Sequence, residues 1–322
     1  MNHRFQRRSF YLTLIGSGVV AALLSVPGSS HLLACQAETA DADSTFSSNL
    51  IVSSHRWIGS DGKQLPFKTD EEIMDFLRTA DVVKVEKIPE GVTKPQKLYL
   101  EKDSIEAAAT FRYKEIHKER WIDPNAGPRA DFRDSCIYEC AAYRLSRLLG
   151  LNNIPPTVRR KVKGKNGTVQ IWVEGAMTDI HRLKEKSTPP DTWRWARQDQ
   201  VMRLWDELVF NDDRNKGNVL IDQDWNVWLI DHTRGFRVYA DIPKAKHIKY
   251  CERGFWEKLK SLDEEVVKAE LGDYLRSTEI EGLLKRRSLL VEHIQGLIDE
   301  KGEGAVLFQF RPAKNQTSGS SD

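Results

Sequence analysis

Apolar and polar residues alternate over short stretches in the first half of the chain, which is the pattern of β-strands with one buried face. Turn-forming residues separate these stretches, as at 163–167, where two glycines and an asparagine lie between two strand-like segments. The predicted strands lie at 81–86, 97–100, 107–116, 157–162 and 168–173. The segment 129–134 is too polar for this alternation, and we predict a loop that leads into a helix.

That helix is predicted at 135–149, because apolar residues including Tyr138, Ala142 and Leu145 recur there at helical spacing. Gly150 stands where a C-terminal cap belongs, and the two prolines that follow cannot continue a helix. We therefore expect the helix to end here.

The second half of the chain is mainly helical. Apolar residues recur at helical spacing at 198–210 and 280–297, with two short strands between them at 218–221 and 227–230. A strand-rich first half and a helix-rich second half predict an α+β fold of two unequal lobes. We place a small β-rich N-lobe at 56–177 and a larger helical C-lobe at 178–310.

The first 37 residues have the layout of an export signal: a basic start, an apolar stretch from Phe10 to Val26, and small, turn-forming residues after it. The pair Arg7-Arg8 also resembles a twin-arginine signal. Residues 38–55 are predicted to be a flexible tether and 311–322 a disordered tail. We therefore expect the protein to be exported to the periplasm, the cell envelope or the medium.

Two processing sites remain open. The run Leu32-Leu33-Ala34-Cys35 resembles a bacterial lipobox, which would make Cys35 the lipid-carrying first residue and attach the protein to a membrane. Cleavage near Ala37 or Ala40 by an ordinary signal peptidase fits the sequence about as well.

The charge balance gives no indication of nucleic-acid binding. The chain has 49 basic and 47 acidic residues, a net charge of +2, whereas nucleic-acid binders usually carry a basic stripe or a strong basic excess. Its four cysteines have no His or Cys partners at zinc-like spacing. We expect neither nucleic acid as a partner nor a cysteine metal site.

Three polar residues stand where phosphoryl-transfer chemistry would need them. Asn218 follows Asp213 by five residues in a polar loop, and Asp231 comes thirteen residues later, at the end of an apolar strand. Transfer from a nucleotide requires a carboxylate that orients the acceptor hydroxyl, and an amide and a carboxylate that hold the metal. Taken alone, Asp213 and Asn218 are ordinary turn residues, but with Asp231 they predict a catalytic site.

The stretch from Asn211 to Phe236 resembles the atypical kinases of the phosphatidylinositol 3/4-kinase, HipA-like and secretory-pathway kinase group. The Asn-Asp-Asp-Arg-Asn-Lys-Gly-Asn run and the Asp-His-Thr-Arg-Gly-Phe ending carry this resemblance, which extends upstream to about Val82. It implies a bilobal protein-kinase-like fold that uses ATP with Mg²⁺ or Mn²⁺.

Position by position, the resemblance implies that Asp213 is the catalytic carboxylate and that Asn218 and Asp231 are the metal ligands. It also implies that Lys114 holds the nucleotide phosphates and that Glu139 pairs with it. Lys118 and Arg112 are rival candidates for the role of Lys114.

The chain departs from the kinase pattern in three places. The loop between the first two strands has a single glycine, Gly91, in place of a glycine-rich triplet, and Thr93 and Lys94 could substitute in phosphate contacts there. There is no His-Arg-Asp, so Asp212 is a second candidate for the catalytic carboxylate, although the spacing favours Asp213. A His-Thr pair replaces Phe-Gly after Asp231.

The resulting hypothesis is an ATP-dependent phosphotransferase that acts on a hydroxyl of a protein, lipid or sugar. Two alternatives remain. The first is an exported pseudokinase-type binding module, and the second is transfer of AMP on the same fold.

Overall fold

The first half of the chain folds around an antiparallel β-sheet and the second half around helices. The computed structural model describes residues 57–89, 93–123 and 127–310. The predicted export signal, tether, Gly91 and C-terminal tail lie outside the described residues. The strands are β1 Asp81–Lys87, β2 Gln96–Lys102, β3 Ile105–Arg112, β4 Glu115–Asp123, β5 Gly127–Ser135, β6 Thr157–Val162, β7 Lys165–Ile171, β8 Met177–Thr178, β9 Val219–Ile221, β10 Val227–Leu229, β11 Cys251–Glu252 and β12 Leu307–Phe308. The helices are α1 Asp70–Thr79, α2 Tyr138–Leu148, α3 Asp179–Lys184, α4 Thr192–Val209, α5 Arg253–Ser261, α6 Glu264–Leu271, α7 Ser277–Lys301 and α8 Glu303–Val306.

The N-terminal sheet has five strands in the order β1-β2-β3-β7-β6. Alternate residues of a strand lie on opposite faces. Leu98 of β2 pairs with Ala109 of β3, and both are buried on the face that packs against the apolar core. Arg112 follows the buried Phe111 and therefore lies on the other face. On this face Arg112 approaches Glu139 of α2 and Asp231, which follows β10.

The predicted third strand is interrupted. β3 ends at Arg112, and β4 begins at Glu115, so that 107–116 is not one strand. The segment predicted as a loop before α2 is instead β5, which forms a two-stranded hairpin with β4. The apolar alternation is missing from β5 because its last two buried positions carry Asp134 and Ser135 rather than aliphatic side chains. These buried polar residues contribute to the site described below.

The helical half is built around α4 and α7. Helix α4 begins at Thr192, six residues before the predicted start at 198. Asp191 caps it, because its Oδ1 accepts a 2.9 Å hydrogen bond from the backbone N–H of Arg194. Trp205 and Leu208 of α4 and Leu290 of α7 are fully buried in the core. Among the described residues, no helix combines the length and the apolar character needed to cross a membrane.

Arg286 of α7 is a buried cation that links α4 to the segment 237–239. Its Nε donates to the carbonyl of Leu208 at 2.8 Å, and its Nη1 donates to the carbonyl of Arg237 at 2.8 Å and to that of Tyr239. Burial lowers the pKa of its guanidinium to about 9. Arg286 therefore connects the end of α4 to the segment that follows Asp231.

Replacing Arg286 with Met should lower the free energy of unfolding by about 2–4 kcal/mol, because buried carbonyls lose their donors. Urea unfolding followed by tryptophan fluorescence would measure this loss. Lys285→Met alters the exposed neighbour on the same helix and should change stability by less than about 0.5 kcal/mol. Equal effects of the two substitutions would show that the carbonyl contacts of Arg286 contribute little.

Candidate active site

The loop that carries Asp213 follows directly from α4 and is held by asparagine side chains. Asn211 is buried, and its Oδ1 accepts a 3.3 Å hydrogen bond from the backbone N–H of Asp213. The Oδ1 of Asn215 accepts from Gly217 at 2.8 Å, while its Nδ2 donates to the carbonyl of Asp213 at 3.1 Å. The backbone on both sides of the Asp213 carboxylate is thereby fixed.

Asn218 and Asp231 lie at the same end of the β9–β10 hairpin. Val219 pairs with Leu229 in this hairpin, and the backbone N–H of Ile230 donates to the carbonyl of Asn218 at 3.2 Å. Asp231 has a φ of +59°, in the left-handed region that costs a non-glycine residue energy, and its Oδ1 accepts a 3.0 Å hydrogen bond from the Thr233 hydroxyl. Such a local conformation is typical of positions where function fixes the backbone.

Arg214 binds the Asn218 and Asp231 regions together. Its Nη1 donates to the carbonyl of Asn218 at 2.9 Å and to that of Ile230 at 2.7 Å. Its Nε lies 3.1 Å from both carboxylate oxygens of Asp206 on α4, which balances its charge. Since Arg214 follows Asp213 directly, one guanidinium fixes the positions of all three predicted site residues relative to each other.

Glu139 of α2 is fully buried and has two partners, Arg112 at the end of β3 and His232 in the segment after β10. Its Oε1 lies 3.5 Å from Nε of Arg112 and accepts a 3.2 Å hydrogen bond from the backbone N–H of His232. Burial opposes ionisation of Glu139, but the charge of Arg112 and the hydrogen bonds from His232 outweigh it and hold its pKa at about 2. Arg112 also approaches Asp231, with 4.0 Å between its Nε and Oδ1. Arg112 therefore links Glu139 to the predicted metal ligand.

The hydrogen bonds of His232 define its tautomer. Its Nε2 lies 3.1 Å from the indole N–H of Trp205 and 3.1 Å from Nη2 of Arg214, and both of these groups can only donate. Nε2 must then be the acceptor, so that Nδ1 carries the proton and faces Oε2 of Glu139 at 3.3 Å. Burial lowers the pKa of His232, which favours this neutral form. A buried network therefore runs from Arg112 to Arg214.

The side chain of Asp213 is 41% exposed, more than that of Asp231, which is 28% exposed. Its Oδ2 lies 3.2 Å from Nη1 of Arg234. Burial raises the pKa of Asp213 even though Arg234 opposes the shift, and Asp231 raises it further. The neighbouring Asp212 pairs instead with Arg237, at 3.6 Å.

The structure gives Glu139 a different partner from the one predicted. Its cation is Arg112, the rival candidate, and not Lys114. The physical reason is the early end of β3, because Lys114 lies past the last strand residue, where its carbonyl accepts a 3.3 Å hydrogen bond from the backbone of Cys136. A nucleotide-binding role of Lys114 stays a prediction.

Asp134, Arg214 and Arg234 were not predicted as site residues. Arg214 and Arg234 stand within the two motifs, so that their proximity to the site could have been inferred from the sequence. Asp134 gives no such signal, because it reaches the site only through the unpredicted hairpin.

The residues present fit a divalent cation that is shared with a nucleotide. The described residues bring together no group of three His, Cys, Asp or Glu side chains that would enclose a metal by themselves. Mg²⁺ in nucleotide sites is usually held by one or two carboxylates together with the substrate phosphates. Asp231 and Asn218 supply oxygen donors of this kind at one end of a hairpin.

No protein-family model matches this chain, and no curated protein matches it. Solved structures resemble it at low sequence identity. A structure of hydra Fam20 with sugar is 16% identical, has a TM-score of 0.58, and the match covers 76% of this chain and 95% of that one. A structure of the Golgi casein kinase is 15% identical with a TM-score of 0.56, covering 74% of this chain and 77% of that one. Its complex with Mn/ADP is 14% identical with a TM-score of 0.55, covering 76% and 80%.

These likenesses show the fold. The chain has an atypical protein-kinase-like fold, with a β-rich N-terminal part and a helical C-terminal part. The predicted α+β, bilobal fold class is therefore confirmed.

Proposed function

We propose that this protein is an ATP-dependent phosphotransferase that transfers the γ-phosphoryl group to a hydroxyl of a protein, lipid or sugar. The observation that carries this proposal is that Arg112 lies 3.5 Å from Glu139 and 4.0 Å from Asp231, while Arg214, next to Asp213, donates to the carbonyls of Asn218 and Ile230. A kinase-like fold alone does not decide the reaction, but this set supplies the groups that phosphoryl transfer needs.

In this proposal Asp213 orients the acceptor hydroxyl. The hydroxyl oxygen attacks the γ-phosphorus, the bond from that phosphorus to the bridging oxygen breaks, and ADP leaves with the electron pair. The hydroxyl proton passes to the Asp213 carboxylate. The raised pKa of Asp213 favours this transfer, because a stronger base accepts the proton more readily.

The nucleotide is held from two sides. Asn218 and Asp231 would hold Mg²⁺ or Mn²⁺, which supplies charge neutralisation of the phosphates when bound. Nε of Arg112 is buried and, within the described part of the chain, has no hydrogen-bond partner. Arg112 lies next to the proposed metal ligand Asp231, with 4.0 Å between its Nε and Oδ1, so we assign a phosphate contact to the Arg112 guanidinium as well as to the predicted Lys114.

The similar structures support the proposed use of a nucleotide with a divalent metal. The Golgi casein kinase has been solved with Mn/ADP and the hydra protein with sugar. Structures with a similar fold therefore hold a nucleotide with a divalent metal in one case and a sugar in another. Because residues 1–37 have the layout of an export signal, we propose that the protein acts after export.

The test is a labelling experiment with the purified full-length protein, Mn²⁺ and ATP. We expect a metal-dependent rise in melting temperature and transfer of label from the γ position to envelope fractions. Transfer from the α position instead would indicate AMP transfer. Nucleotide binding without any transfer would indicate a binding module, and no nucleotide binding would contradict both transferase functions.

A further inference from the structure

We propose that Arg234 is a catalytic cation that contacts both Asp213 and the phosphoryl group in transfer, and that Asp134 holds it there. This inference rests on the proposed function and adds a residue to its mechanism. The starting observation is that the guanidinium of Arg234 bridges two carboxylates. Its Nε donates to Oδ2 of Asp134 at 2.8 Å, and its Nη1 lies 3.2 Å from Oδ2 of Asp213.

Asp134 is buried to an extent that needs an explanation. Only 2% of its side chain is exposed, and its Oδ1 has no hydrogen-bond partner among the described residues. A buried carboxylate is costly unless it is paired, and a half-satisfied one is retained mainly where it fixes a geometry. What Asp134 fixes is the direction of the Arg234 guanidinium.

The backbone keeps this pair in register. The N–H of Ser135, next to Asp134, donates to the carbonyl of Thr233, next to Arg234, at 2.7 Å. Phe132 of the same strand lies beneath the guanidinium, with 5.8 Å from Cζ of Arg234 to the ring centroid. Strand β5 therefore fixes the position of the segment after Asp231 through a backbone hydrogen bond and a ring contact.

Arg234 differs from the other arginines of the site in its exposure. The side chains of Arg112, Arg214 and Arg237 are 8%, 8% and 4% exposed, whereas that of Arg234 is 28% exposed. A guanidinium has five N–H donors, and the hydrogen bond to Asp134 uses one. Arg234 thus keeps donors that a ligand in the cleft can reach.

These donors lie where charge develops. The acceptor oxygen is next to Asp213 when it attacks, so the γ-phosphoryl group must lie within one or two bond lengths of the same place. Negative charge on its outer oxygens is stabilised by a fixed guanidinium without reorganisation. Arg234 would donate to one of these oxygens while its contact with Asp213 keeps the carboxylate aligned with the hydroxyl.

The experiment compares Arg234→Gln, Arg234→Lys and Asp134→Asn with wild type in the full-length protein, using Mn²⁺ with ATP or ADP. We expect Arg234→Gln to lower kcat about 100-fold or more, with the Kd of ADP within threefold of wild type. Arg234→Lys should recover part of the loss, and Asp134→Asn should lose about tenfold. Arg203→Gln, which breaks an exposed Arg–Asp pair on α4, is the matched control and should leave kcat within twofold.

A further readout separates catalysis from folding. Methylguanidinium should restore activity to Arg234→Ala in a saturable way. The ADP-bound melting temperature of Arg234→Ala should equal that of wild type, which shows that the variant is folded. If wild type transfers phosphoryl and Asp213→Asn does not, while Arg234→Gln keeps kcat within threefold, the role of Arg234 is refuted and the proposed function stands. If wild type binds nucleotide but transfers nothing, the proposed function fails and the role of Arg234 fails with it.

Discussion

Asp213→Asn should lower γ-phosphoryl transfer about 1000-fold or more and leave the affinity for Mn²⁺–ATP nearly unchanged. Asparagine keeps the shape of the side chain but cannot accept the proton of the acceptor hydroxyl. The backbone contacts that fix the loop come from Asn211 and Asn215 and do not involve the carboxylate. The substitution therefore removes the chemistry without disturbing the fold.

Single-turnover transfer from γ-labelled ATP would measure this loss, with nucleotide binding followed separately by thermal shift. Asp212→Asn is the control, since Asp212 is the adjacent carboxylate and pairs with Arg237 instead of Arg234. It should cost less than about tenfold. A larger loss from Asp212→Asn than from Asp213→Asn would reverse the assignment of the two carboxylates.

The same assay distinguishes the proposed metal ligand Asp231 from the proposed base Asp213. Asp231→Asn should weaken the metal-dependent part of nucleotide binding, because an amide replaces the anionic oxygen that prefers a divalent cation. Asp213→Asn should not do so. The two roles assigned from spacing thus predict opposite patterns of binding and turnover.

Local spacing explains why the C-terminal part of the site could be predicted. Asp213, Asn218 and Asp231 lie within one loop and one hairpin, so that their separation in sequence largely determines their separation in space. The fold class followed from the change of apolar period between the two halves of the chain.

The N-terminal part of the site depends on where strands end, which is the least certain feature of a sequence pattern. Arg112 and Lys114 are two residues apart and would lie on the same face of a continuous strand. Because the strand is interrupted after Arg112, Arg112 and not Lys114 is the partner of Glu139. The interruption was not predicted, since strand β5 of the β4–β5 hairpin has buried polar residues in place of the apolar alternation of a strand.

The Glu139 network also connects the two lobes. Glu139 belongs to α2, Arg112 to the sheet, and His232 to the segment after β10. Because these elements meet through buried charges, the position of α2 determines the position of Arg112, the residue to which we assign a phosphate contact. A change at Glu139 should therefore affect stability and nucleotide affinity together.

Glu139→Gln should lower the free energy of unfolding at pH 7 by about 3 kcal/mol, because it leaves the buried Arg112 without its main counter-charge. Glutamine can still accept hydrogen bonds from His232, so that the loss reports mainly the charge. Urea unfolding gives the stability, and titration with Mn²⁺–ATP should show weaker binding. A variant as stable as wild type at pH 7 would contradict the importance of the pair.

The pH dependence gives the prediction a sign. The pKa of Glu139 is about 2 in the folded protein against an ordinary value of 4.5, so that its ionised form contributes stability above about pH 4.5 and loses it as the pH falls toward 2. The difference in the free energy of unfolding between wild type and Glu139→Gln should therefore shrink from pH 7 to pH 3.

Glu207 is the matched opposite case, because burial raises its pKa and its stabilising contribution is lost as the pH rises. Glu207→Gln should accordingly cost less at pH 7 than at pH 3, and parallel trends for the two variants would show that the charge of Arg112 does not govern Glu139.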